Sequence, residues 1–153
     1  MLENIANIAE IVGVTLVLVT LIFLTLQIRQ NTRATRSTTI QAVMQSELAM
    51  AEIIFAHAEI WDQIITGAVP EEGINTRRAI MLFNVYMIDT ETRFHQHISG
   101  FLDTQTWEGR LTSLPYLVTL PVYALWRESL GGRSHAVDFL ELIDKIHSDA
   151  TQE

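Results

Sequence analysis

Residues 21–37 read LIFLTLQIRQNTRATRS: an apolar run stops at Gln27 and passes, with no turn signal, into three arginines spaced four and three apart. The run begins well before this stretch. Between Glu10 and Arg29 stand 18 uncharged residues, IVGVTLVLVTLIFLTLQI. As a helix they extend about 27 Å, close to the ~30 Å of a bilayer's hydrocarbon layer. Thr15, Thr20 and Thr25 do not forbid insertion, because a helical threonine returns its hydroxyl to a carbonyl one turn back. A secretory signal needs a basic start, a shorter apolar run and a small-x-small cleavage site, and none is present. A buried helix of a soluble protein needs cover on every side, which a chain of 153 residues has little mass to supply. The reading is a short extracytoplasmic tail over 1–10, a transmembrane helix over 11–28, and a cytoplasmic helical domain over 29–153.

The charges set the orientation. Arg29, Arg33 and Arg36 follow the apolar run, and no basic residue precedes it. Basic residues stay on the cytoplasmic side, so the N-terminus is expected outside and the C-terminal domain inside. Their spacing puts the three guanidinium groups on one helical face, within reach of lipid phosphates. Residues 1–36 carry a net charge of +1 and the other 117 carry −9. An acidic body excludes nucleic acid as a partner, since phosphate neutralisation requires a basic face. With no cysteine there is no disulfide, thiolate zinc site or cysteine nucleophile, and a single lysine, Lys145, removes most lysine chemistry.

From Val14 to Thr66 there is no Gly or Pro, so the anchor helix is expected to run on beyond the arginines. Its apolar pattern there becomes one-sided: Ile40, Met44, Leu48, Ala51, Phe55, Ala58, Trp61 and Ile65 recur at threes and fours. Gly67 and the segment VPEEG close it. A second helix is expected over about 75–98, with a stripe of Ile80, Phe83, Met87, Thr90, Phe94 and Ile98, and with Asp89 and Arg93 paired on another side. Asp103 or Thr104 caps a third helix through Trp107 and Leu111. The uncharged LPYLVTLPVYALW over 114–126 reads either as a re-entrant membrane segment or as a broken helix in the domain core. Pro115, Pro121 and its shortness favour the second. Gly131 and Gly132 turn the chain, and Ser134 caps a last helix with Val137, Leu140, Ile143 and Ile146 inward and a fraying end. The class is all-α: one N-terminal transmembrane helix, continuous with a long cytoplasmic helix, plus a small antiparallel helical bundle.

Several segments are similar to a family of small bacterial proteins: VLVTLIFLTLQIRQNTRATRSTT, FLDTQTWEG, LPVYALWRE and VDFLELIDKI. The QIRQNTRA exit is the most specific of these, because membrane insertion alone does not demand it. The resemblance covers nearly the whole chain and implies a hydrophobic N-terminal anchor in a bacterial inner membrane. It assigns no activity, cofactor or binding residue. Val122 stands after Pro121, where the family pattern places glycine.

Chemistry is sparse. Glu91 and His95, four apart in DTETRFHQH, share a helical face and are the weak candidates for a metal; His97 is turned about 200° from His95. Di-iron bundles use Glu-x-x-His on two helices, whereas here a Glu-x-x-x-His occurs once. His57, His135 and His147 stand apart from any partner motif. There is no G-x-S-x-G elbow, P-loop or G-x-G-x-x-G. Trp61, Trp107 and Trp126 read as core or interface anchors before they read as a pocket. Arg77 and Arg78 open a helix against its dipole and look toward Glu71 and Glu72. Ala9 and Gly13 form a small-xxx-small pair suited to close helix approach. No catalytic residue and no cofactor is expected. The expected function is that of a non-enzymatic accessory or assembly subunit of an inner-membrane complex (respiratory, photosynthetic or transport), with lipid and other membrane subunits as partners. The alternatives are a homo-oligomer with a pore or membrane-organising role, and a metal-dependent sensor or enzyme.

Overall fold

The computed structural model describes residues 2–69 and 72–152; within them, no side chain is described for Leu2, Glu3, Ile5, Ala6, Ile8, Ala9 and Gly132. Every regular element among the described residues is helical. The chain divides into two compact units, residues 1–38 and residues 39–153.

The first unit is the opening part of helix α1, Leu2–Ala56. Its segment from Ile11 to Ile28 is exposed along its whole length, and it is long and apolar enough to cross a membrane. The hydroxyls of Thr15, Thr20 and Thr25 donate to the carbonyls of Ile11, Leu16 and Leu21, each at 2.8 Å. The expected self-satisfaction of these threonines is present.

The second unit begins with the rest of α1 and continues through α2 (Ala58–Ile65), α3 (Ile74–Ile98), α4 (Thr104–Leu111), α5 (Leu114–Val118) and α6 (Pro121–Trp126). A π-helical turn, Arg127–Gly131, and the short α7, Gly132–Ser134, lead to α8, Val137–Thr151. The long helix breaks at His57, whose backbone leaves the helical region (φ −130°, ψ 38°). No glycine or proline marks this break, so it is absent from the sequence pattern. The expected turn over VPEEG falls partly on Pro70 and Glu71, outside the described residues.

The core gathers Phe83 and Met87 of α3, Leu114 and Val118 of α5, Val122 and Trp126 of α6, and Phe139 and Ile143 of α8 around Ile60 and Ile64 of α2. The segment 114–126 is thus a broken helix in the core, with Pro115 and Pro121 each opening a short helix. Asp103 caps α4 by accepting from the Thr106 backbone at 2.9 Å, and the same side-chain and backbone bonds from Thr106 hold its carboxyl below the ordinary range.

Three expectations are corrected. The face that α1 turns to the core carries Val43 and Met50, not the one-sided stripe, so Ile40, Met44, Leu48 and Phe55 are exposed. Gly131 and Gly132 continue helical structure instead of turning the chain. The last helix has no Ser134 cap: Ala136 is its N-cap, Val137 is exposed while Phe139 is buried, and helical structure persists to Thr151.

Candidate functional site

Helix α3 brings the chemistry-bearing residues together. On one side, Asp89 and Arg93 are buried, the latter 3% exposed. The Arg93 guanidinium donates to Asp89 at 2.8 Å and to Glu47 at 2.9 Å. Arg110 of α4 donates to the same Asp89 carboxylate at 2.9 Å and to the Thr90 hydroxyl at 3.1 Å, and lies 3.9 Å above the Tyr86 ring. Ser46 of α1 completes the set by donating to Asp89. The i,i+4 pairing of Asp89 and Arg93 was legible in the sequence. Its burial was not: the pair belongs to a charged network joining α1, α3 and α4. Burial pulls the Arg110 guanidinium below its usual value, opposed by the Tyr86 ring and the Asp89 charge. One carboxylate shared by two guanidinium groups fastens α3 to α4.

On the opposite side of α3, Glu91 has closer partners than His95. The two side chains are 3.8 Å apart, and the Glu91 carboxylate is taken by the enclosed His135 at 2.7 Å and by the Ala136 backbone N–H at 2.6 Å. A carboxylate at this position satisfies the opening of α8 where Ser134 does not. The indole N–H of Trp126 donates to Asn84 Oδ1 at 2.9 Å, which fixes that atom as the amide oxygen; His135 Nε2, 3.1 Å away, therefore donates to it as well. Both ring nitrogens of His135 are engaged, and none is left for a substrate. Among the described residues no three His, Asp or Glu side chains gather in a metal-binding arrangement.

The remaining candidates are dispersed. His97 stacks on Trp107 with ring centroids 5.8 Å apart, and His147 faces the Val118 carbonyl at 2.8 Å. Trp61 lies against Tyr86, and Trp126 meets Phe83 edge-on, while Trp107 belongs to a separate small cluster with Val43 and Leu102. Arg29, Arg33 and Arg36 are all exposed. Gly13 has open space where a Cβ would stand; the side chain of Ala9 lies outside the described set. Arg77 and Arg78 make no ion pair with Glu72, and Glu71 is outside the described residues. Comparison with family profiles, curated proteins and solved structures yields no match for this chain.

Arg127 and Asp144 carry no marker in the sequence pattern. Arg127 donates twice to Asp144, at 3.0 and 2.8 Å, and the Tyr123 hydroxyl adds a third bond at 2.8 Å. The bonds from Arg127 hold the Asp144 carboxyl below the usual carboxylate range, while burial and then the Asp144 bond push the Tyr123 phenol up. A depressed carboxylate stabilises the fold above its unfolded value and loses that contribution as pH falls through the folded one. The urea midpoint of Asp144→Asn should therefore lie below that of the natural chain at pH 7. The gap should close as the pH is taken below 3.8. A gap independent of pH would show that the bonds do not depend on the carboxylate charge.

The largest unabsorbed feature is a surface. Ile40, Met44, Leu48 and Phe55 are 47, 59, 67 and 80% exposed, in line along the part of α1 that belongs to the second unit. At spacings of four and seven they form one stripe, with half-buried Ala51 between the last two. Isolated apolar residues on a surface are ordinary, but a row on one helix face is the pattern of a helix that lacks its neighbour.

Proposed function

We propose that this protein is a single-pass, membrane-anchored accessory or assembly subunit whose helical domain docks on another membrane-complex subunit. The observation that carries this reading is the exposed stripe of Ile40, Met44, Leu48 and Phe55. It has the i, i+4, i+8 anchor spacing of helix-to-helix recognition. The apolar segment of 11–28 supports the anchor, and the arginines after it support an outside N-terminus and a cytoplasmic domain in a bacterial inner membrane. A domain of net charge −9 favours a different chain over a second copy, because like-charged copies repel.

Native mass spectrometry of complexes taken from the protein's own membranes in mild detergent tests the reading. Masses that require other chains are expected. Integer multiples of 17.3 kDa alone would replace it with a homo-oligomer, and a bare monomer would overturn both. Leu48→Glu should abolish the hetero-complex with little change in thermal stability, since the residue is 67% exposed. An unchanged complex would move the docking face away from α1.

A further inference from the structure

A second apolar feature lies where α1 gives way to α2. Between the break at His57 and the first turns of α3 is a groove with room for about 220 Å³, lined by Ile53, His57, Ile60, Arg78, Met81, Leu82 and Val85. Ile60 and Leu82 are buried and form its floor; Ile53 and Met81 are exposed along it. Among the described residues, its polar side chains are the exposed His57 and Arg78. Among the described residues, no carboxylate comes within ion-pair distance of Arg78, although the domain carries 16 acidic residues against seven basic ones. A free cation beside an apolar trough is thus an exception to the charge of this surface.

The lining decides the class of ligand. With no hydroxyl, amide or carboxylate side chain in the groove, a sugar or nucleobase would lose its hydrogen bonds to water without replacement. A cationic amphiphile would meet Arg78. An unbranched alkyl chain ending in an anion satisfies both parts: the chain covers the apolar floor, and the anion takes charge-assisted hydrogen bonds from the guanidinium. We propose that this groove is a binding site for a medium-chain fatty acid in its carboxylate form. The alkyl chain lies over Ile60, Met81, Leu82 and Val85, and the carboxylate sits on Arg78, with His57 beside it. The proposal is independent of the stripe on α1.

Met81 supplies the probe. The full chain, labelled with ¹³C at the methionine methyl groups and held in lipid nanodiscs, is titrated with decanoate. The Met81 methyl resonance should shift and saturate, while that of Met44, which is exposed but stands outside the groove, should not. Arg78→Gln should weaken binding about tenfold, and decan-1-ol should bind the natural chain about tenfold more weakly than decanoate, since each removes one charge-assisted contact. Val85→Trp should fill the groove and abolish the shift, with near-ultraviolet dichroism reporting that the fold is retained. If Met81 does not respond, if Met44 moves in parallel with it, or if decan-1-ol binds as tightly as decanoate, the proposal is wrong.

Discussion

Asp89→Ala should lower the stability of the helical domain by about 3–5 kcal/mol, the cost of removing one member of a buried ionic set. The reason is the count of charges left behind. Arg93 is 3% exposed and would keep Glu47, while Arg110 would lose the carboxylate it donates to. Ser46 would lose its acceptor in the same step. A domain of this size has about 5–15 kcal/mol in total, so the variant should unfold at markedly lower urea, read by tryptophan fluorescence in the full chain. Replacing Asp89, Arg93 and Arg110 together by leucine or methionine should recover much of the loss, because apolar groups of similar volume often substitute for a buried ionic set at little cost. A small effect of Asp89→Ala alone would show that water reaches the two guanidinium groups.

Gly131→Ala should be the second most damaging change, and for a steric reason. A Cβ at residue 131 would stand 2.8 Å from three atoms of the Trp126 indole, well inside contact distance. The ring cannot step aside: it is fully buried, meets Phe83 edge-on, and is tied through its N–H to Asn84. Overpacking of this kind costs typically 1–3 kcal/mol, and here it would also pull on the Asn84–His135 bond. The expected result is a lower melting temperature with loss of the near-ultraviolet tryptophan signal. Trp126→Phe should partly rescue Gly131→Ala while being destabilising alone. Additive losses would mean that the two residues do not meet.

The elements most legible in the sequence were those whose cause is local. The charge-free run of 11–28, the Asp103 cap, the stripe of Phe83, Met87 and Thr90, and the proline-opened pieces of 114–126 each follow from spacing or from one residue's backbone limits. The pairing of Asp89 with Arg93 was visible for the same reason. What was missed depends on partners far apart in the chain. Glu91 was read beside His95, four residues away, and lies 3.8 Å from it, but its closer partner His135 was not foreseen; the apolar side of α1 was legible without any sign of whether the rest of the chain would cover it. Helix periodicity says which residues share a face; only the number and placement of the other helices says which face is used. The break at His57 has no residue-level marker, and Gly131 and Gly132 mark the end of the π-helical turn over 127–131 without showing that the chain stays helical there.

The back-bonded threonines of α1 carry one more implication. Over the stretch from Ile11 to Leu26 the only polar side chains are Thr15, Thr20 and Thr25, and each hydroxyl proton is already given to a carbonyl of the same helix. In hydrocarbon, such a segment has no side-chain donor left to offer a neighbouring helix, so nothing in it spells out a partner through donated hydrogen bonds. As a membrane segment it would act as a mooring line of generic make, interchangeable with another of equal length and oiliness. Recognition through donated hydrogen bonds would then fall to side chains outside this stretch.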